Sequence, residues 1–348
     1  MIIMEKIISV LTAAAMIFGS LSTCCGVNAA ENSDEKLKIV TTIFPEYDWV
    51  NNILGEDAVH AEVTLLLNNG VDLHSYQPTV DDILKISTCD LFIYVGGESD
   101  AWVDDALKEA VNPDIVVLNL LDLLGEAVRE EEIVEGMQHE DHEHEDDEDG
   151  HDHGEDHEHE DGQAHDEEEA EYDEHVWLSL RNAAALTRSI AEILGQLDED
   201  CAEKYMDNAQ AYIQKLNALD EAYQNVVSKA PVKTLLFGDR FPFRYLTDDY
   251  DLTYYAAFAG CSAETEASFE TITFLARKMD ELSLHSVMTI EGTDHSIAET
   301  IVQNTKAGDQ QILSLDSMQS TTSKDIQEGA DYLSVMEKNL EVLREALK

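Results

Sequence analysis

Basic residues are scarce in this sequence of 348 residues, where 21 Lys and Arg face 74 Asp and Glu for a formal charge of −53 at pH 7. A surface so acidic repels phosphate backbones and anionic headgroups, which argues against nucleic-acid binding by the whole chain and against adhesion to membranes through basic patches. Cations, metals above all, are the partners that such a field favours. Cysteine is also sparse, with five residues and no CxxC spacing, so a thiolate zinc site is not signalled. Beyond residue 20 no apolar run is long enough to span a bilayer. The signatures HExxH and GxSxG are absent, and no carboxylate is placed recognisably as a general base, so enzyme chemistry has no visible foothold.

What is present begins at Lys6, followed by the apolar stretch IISVLTAAAMIFGS over residues 7–20. It is too short for a comfortable mature span and suits the core of a signal peptide. Leu21-Ser22-Thr23-Cys24 resembles a bacterial lipobox, with Thr23 where Gly, Ala or Ser is usual. The prediction is removal of residues 1–23, lipidation at Cys24 and a polar tether over 24–36. The alternative is a secreted protein cleaved near Ala29-Ala30. Either way the folded part lies outside the cytoplasm, where a disulfide such as Cys89 with Cys201 is compatible with the sequence.

From residue 37 onward strand-like and helix-like segments alternate. Lys38–Phe44, Ala61–Leu67, Leu91–Val95 and Ile115–Leu120 read as strands, with helices over Thr79–Ser87 and Trp102–Ala110. Pro45 suits the first turn of another helix. Leu178–Leu197 and Glu199–Lys229 have helical spacing, and the second presents Tyr205, Ala209, Tyr212, Leu216, Leu219 and Tyr223 on one broad face. It would span about 45 Å at 1.5 Å per residue. A second alternating set follows Pro231: strands Thr234–Phe237, Leu252–Phe258, Ser286–Glu291 and Gln311–Leu315, and helices Arg244–Tyr250, Phe269–Leu282 (with Ser268 as N-cap), Ile297–Thr305 and Ile326–Leu347. The pattern predicts an α/β protein with two lobes of parallel-type sheet, 37–198 and 230–348, joined by one long helix over 199–229.

Residues 121–172 interrupt the first lobe with an acidic, histidine-rich stretch, and 130–174 hold 25 Asp and Glu and no Lys or Arg, nearly half the net charge. Such a segment cannot bury enough apolar area to fold alone, and the loop is placed at 130–172. Eight of the thirteen histidines lie in it: His139, His142, His144, His151, His153, His157, His159 and His165. HxH repeats among carboxylates offer nitrogen and oxygen donors on a flexible chain, suited to loose, exchangeable capture of zinc or similar ions. Ordering the chain around each ion costs entropy, which argues for low affinity here.

Of the remaining histidines, His60 and His285 sit beside strand starts without neighbouring donors. His74 lies in the turn-rich Gly70-Val71-Asp72-Leu73-His74-Ser75-Tyr76-Gln77-Pro78, directly after a strand, where α/β folds place ligand groups. His175 lies in Asp173-Glu174-His175-Val176-Trp177-Leu178 at a helix entrance. These two segments resemble the motifs GxDPHxYEPT and DPHxWLDP of the zinc- and manganese-binding solute-binding proteins of ABC importers, the cluster whose zinc members carry a His-rich acidic loop. The similarity runs from KIVTTIFP through Gly97-Glu98-Ser99-Asp100-Ala101-Trp102 to the final helix, with Leu73 and Glu174 in place of the family's prolines.

The resemblance implies two α/β lobes joined by a long helix, a metal in the cleft between them, and His74 and His175 as ligands. It also implies further ligands from the C-terminal lobe. Matching Phe243-Arg244-Tyr245-Leu246 to the family's helix puts Arg240 where His or Glu usually ligates, and guanidinium has no lone pair to give. Asp239, His295 with or without Glu291, or a water fills that place; His295 is favoured as third ligand and Asp239 as fourth. Three histidines suit tetrahedral zinc, whereas Asp239 with Glu291 would move the site toward manganese. The function implied is extracytoplasmic capture of Zn2+, with Mn2+ as the alternative cargo, and delivery to an ABC permease. The protein is expected to be a monomer that meets the membrane only through its lipid anchor, and not an enzyme. The rival readings are a secreted zinc hydrolase and a surface metal-buffering or adhesive protein.

Overall fold

A computed structural model describes residues 36–55, 59–138, 171–262 and 266–348. The first alternating set forms β1 (Leu37–Thr41), α1 (Phe44–Leu54), β2 (Ala61–Leu65), α2 (Val80–Thr88), β3 (Leu91–Tyr94), α3 (Val103–Lys108), β4 (Val116–Asn119) and α4 (Leu120–Leu124). Two long helices follow, α5 (Leu180–Leu197) and α6 (Ala202–Lys229). The second set comprises β5 (Thr234–Phe241), α7 (Arg244–Asp249), β6 (Thr253–Ala259), α8 (Phe269–Leu282), β7 (Ser286–Ile290), α9 (Ser296–Gln303), β8 (Gln311–Leu315), α10 (Ser323–Gln327) and α11 (Tyr332–Ala346).

The two sheets share one topology, β2-β1-β3-β4 and β6-β5-β7-β8, with every pairing parallel. Parallel strands are covered on both faces, which is why LKIVT, LFIY and SVMTI are near-continuous apolar or β-branched runs. Local chemistry sets the boundaries. β1 stops at Thr41, short of the expected Phe44, because Pro45 opens α1 and the Glu46 carboxylate accepts from the backbone N–H of Thr42 (2.8 Å) and Ile43 (3.3 Å). Ser268 caps α8 through Thr271 N at 3.1 Å. The expected closing helix Ile326–Leu347 is broken into α10 and α11, since Gly329 takes φ +95° and Asp331 starts the new helix by accepting from Ser334 N. Cys89 and Cys201 are buried thiols, not the disulfide the sequence left open.

At 28 residues α6 is about 42 Å long, and its predicted face is buried from Tyr205 to Tyr223. It braces both sets of elements: Tyr212 OH donates to Asp48 of α1 (3.0 Å), and Tyr223 OH donates to the Met336 carbonyl of α11 (2.6 Å). α11 crosses back to the first set, where Tyr332 packs edge-on against Trp49 and donates to the Trp177 carbonyl. One apolar core therefore runs from β1 to α11, and a smaller one lies under α8 and α9. No helix among the described residues is long and apolar enough to cross a membrane.

Candidate metal centre

His74 sits on a 3-10 turn, Leu73–Ser75, just past the C-terminal end of β2. Leu73 is buried beneath the turn, and Asp72 Oδ1 accepts from His74 N at 3.0 Å, so the backbone is held from both sides. The ring's Nδ1 is 2.7 Å from Ser99 Oγ and 3.5 Å from Glu174 Oε2. Its Nε2 is thereby turned away from those partners. It faces His175 Nε2 at 3.1 Å.

His175 is fully buried at the N-cap of the 3-10 turn Val176–Leu178. Asp173 Oδ1 accepts from its backbone N at 2.9 Å and lies 3.0 Å from its Nδ1. A carboxylate on Nδ1 fixes the tautomer with that nitrogen protonated and leaves the Nε2 lone pair free. Asp173 is itself braced from the second lobe, because Tyr245 OH of α7 donates to its carbonyl at 2.7 Å. Glu174 packs so closely over Gly97 that a Cβ there would lie 2.4 Å from its Oε1.

Two lone pairs 3.1 Å apart repel unless a proton or a metal cation lies between them. Burial works against a charge on His175, but Asp173 outweighs it and raises the pKa above the usual value. His74 is pushed down to about 3, first by burial and then by the charge on His175, with Arg240 adding to this and Asp72 opposing it. Of the two rings His175 is the more basic. Both rings present nitrogen to a cation that displaces the proton.

A third donor arrives from the second lobe. Cys261 follows β6 immediately after Gly260, and its Sγ and a ring nitrogen from each of His74 and His175 all lie within 4.8 Å of one another. Among the described residues no other group of three His, Cys, Asp or Glu donors clusters in this way. Gly260 makes the approach feasible, since a Cβ there would lie 2.9 Å from the Phe241 carbonyl and 3.0 Å from His175 Cε1. The Cys261 backbone N donates to Glu131 Oε1 at 3.0 Å. Burial, and then the carboxylates of Glu131, Asp173 and Glu174, push the thiol pKa upward. The sequence signal for Cys261 was its position at the C-terminal end of a strand, the same criterion that selects His74. Searching cysteines only for CxxC spacing passes over it.

The other predicted residues are placed as follows. Asp239 lies at the irregular stretch of β5 where its register with β6 shifts. Its Oδ1 accepts from Arg240 N, and its Oδ2 accepts from Ile290 N (3.2 Å) and Thr293 Oγ1 (2.9 Å). Both oxygens are thus committed to holding the second lobe together. Arg240 Nη2 reaches across to Asp72 Oδ2 at 2.6 Å, an ion pair between lobes at the edge of His74. Glu291 is turned to Ser317, whose N and Oγ donate to it at 2.7 and 2.8 Å, and is likewise occupied. His295 adopts a left-handed φ of +59° at the start of α9, with its Nδ1 buried and unpartnered, and is not in the donor cluster. It lines, with Asp72, His74, Asp239 and Cys261, a cavity of about 590 Å³ between the lobes. A smaller space of about 240 Å³, bordered by Glu98, Glu131, Glu171 and Glu174, shares His74 and Cys261 with it. His139, His142, His144, His151, His153, His157, His159, His165 and Cys24 lie outside the described residues.

Two equivalent parallel-sheet lobes, a bracing long helix and a donor cluster at the strand ends between them define a solute-binding protein with a site for a metal ion. The chain belongs to the ZnuA family, described as zinc-uptake complex component A, periplasmic, whose model matches residues 39–346; it is a family of transport components rather than of enzymes. The chain is 30% identical over 343 residues to the zinc-binding lipoprotein AdcA of Streptococcus pneumoniae serotype 4, covering 98% of this chain and 61% of that one. It thus spans less than two thirds of that relative. It is 27% identical to the high-affinity zinc uptake system protein ZnuA of Bacillus subtilis, over 97% of this chain and 96% of the relative. The crystal structure of the Zn(II)-bound ZnuA-like domain of S. pneumoniae AdcA superposes with a TM-score of 0.65 at 27% identity, covering 90% of this chain and 99% of the domain.

Proposed function

We propose that this chain captures Zn2+ outside the cytoplasm and hands it to the permease of an ABC importer, making and breaking no covalent bond in its cargo. The observation that carries the reading is the pair of imidazole Nε2 atoms 3.1 Å apart, each ring tied through Nδ1 to a hydroxyl or carboxylate. In this reading His74 and His175 are ligands. Tetrahedral zinc at about 2.05 Å from each nitrogen sets them about 3.3 Å apart, so the pair needs almost no adjustment. Imidazole favours zinc over manganese, which prefers all-oxygen surroundings. The names of the AdcA and ZnuA relatives support the cargo, and the lipoprotein relative supports an anchor at Cys24.

The acidic His-rich segment acts here as a loose reservoir. Its flanks lie beside the site, since Glu131 N donates to the Glu171 carbonyl at 2.8 Å and Glu131 also holds Cys261. Calorimetric titration with zinc and manganese tests the division of labour on a chain whose residues 139–168 are replaced by a Gly-Ser linker. One tight zinc site should survive and be lost in His74→Ala and His175→Ala. Loss of all tight binding with the segment would instead make the protein a surface buffer.

A further inference from the structure

We propose that Cys261 is the third protein ligand and binds the cargo as a thiolate, giving a two-histidine, one-cysteine site that spans the lobes. The inference rests on the reading of His74 and His175 as ligands and goes beyond it in naming the donor that the second lobe supplies.

The alternatives in that lobe are already engaged. Arg240 has no lone pair and is paired with Asp72; Asp239 holds Ile290 and Thr293; Glu291 holds Ser317. His295 stands apart from the cluster. Cys261 Sγ lies within 4.8 Å of a ring nitrogen of each histidine, and a tetrahedral zinc with Zn–S of about 2.3 Å requires about 3.6 Å. Reaching that separation takes at most about an ångström of movement, the scale of a rotamer adjustment or slight lobe closure. Gly260 keeps the approach open by leaving the face of His175 uncovered.

The chemistry balances simply. The Cys261 S–H bond breaks and its proton leaves to solvent, as does any proton held between the two imidazoles; one S–Zn and two N–Zn bonds form in place of bonds from zinc to water, and no electrons are transferred. Two neutral imidazoles alone would leave the full dication in a buried site, and one thiolate halves that charge. A fourth position is left to water or to a rearranged side chain, beside the cavity of about 590 Å³ that His74 and Cys261 line. A sulfur donor selects zinc and other borderline or soft ions against manganese and magnesium.

Cobalt(II) is the probe, because sulfur ligation gives it an intense near-ultraviolet charge-transfer band that nitrogen and oxygen ligands do not. The full chain suits the test, as residues 130–174 contain no cysteine. The expected result is a band saturating at one equivalent of cobalt, abolished by zinc but not by manganese, and absent in Cys261→Ser. Zinc affinity in Cys261→Ser should fall by more than about 100-fold, beyond the range for an outer partner. Zinc should also protect Cys261 from iodoacetamide in the unmodified chain, a readout independent of how the variant folds. Tight binding without the band, with Cys261→Ser equal to the parent and alkylation unaffected by zinc, would overturn the thiolate and leave the receptor reading standing. Binding that ignores His74→Ala and His175→Ala would overturn both.

Discussion

Asp173→Asn isolates the charge behind His175 while keeping its geometry. The asparagine carbonyl can still accept from His175 N and Nδ1, at the 2.9 and 3.0 Å that Asp173 Oδ1 now occupies. Only the negative charge is removed. A zinc ion on Nε2 would lie about 6.5 Å from that oxygen, where a dication and a carboxylate attract by about 5 kcal/mol at an effective dielectric constant of 20. Much of this is offset, since the same charge strengthens the hold of His175 on the proton that zinc must displace. What survives should be a loss of about 10- to 100-fold in zinc affinity, or about 1.4–2.7 kcal/mol. The measurement is competition against a chelating dye on the chain with residues 139–168 replaced.

The pH dependence sharpens this prediction. Burial depresses the His175 pKa, but Asp173 more than restores it, so the proton competes with zinc below a value above 6.5 in the parent. In Asp173→Asn that window moves to lower pH. The affinity ratio between the two proteins should therefore be largest in mild alkali and shrink on acidification. Equal affinities at pH 8, or a ratio that widens with acid, would refute the assignment of Asp173 as the group that sets the ligand's basicity.

Two further predictions concern stability and approach. Gly260→Ala should cost roughly 1–3 kcal/mol by over-packing, because its Cβ meets the Phe241 carbonyl and the His175 ring; a lowered melting temperature with weakened zinc binding would be seen, and an unchanged melt would sink the packing argument. Asp48, raised from 3.8 to about 6 by burial against the hydrogen bond from Tyr212, binds its proton more tightly in the folded chain than in the unfolded one. Its contribution is fully present below pH 3.8 and is lost as pH rises through 6, amounting to about 3 kcal/mol. In urea titrations at pH 4 and pH 7, Asp48→Asn should lose that part of the decline, and a profile parallel to the parent's would count against it.

The sequence by itself determined the architecture, because a parallel sheet needs apolar strands, crossover helices and turn chemistry that are all written locally. Thr79, Ser268 and Pro45 mark helix starts whatever surrounds them, and the face from Tyr205 to Tyr223 announces a long packing helix. His74 and His175 were legible for a similar reason, each lying in a short motif at a strand end or helix entrance. The break at Gly329 is also written locally, in the glycine and the Asp331 cap that follows it, whereas the extension of β5 to Phe241 was not legible, since it depends on pairing with β6. The second lobe's contribution to the site belongs to the same class. Asp239, Arg240, Glu291, His295 and Cys261 all stand near strand ends in the sequence, equivalent by pattern. Only the tertiary structure decided among them, because it sets which partners each side chain meets: hydrogen bonds engage both oxygens of Asp239 and of Glu291, Asp72 pairs with Arg240, and the bare face of Gly260 brings Cys261 to the histidines.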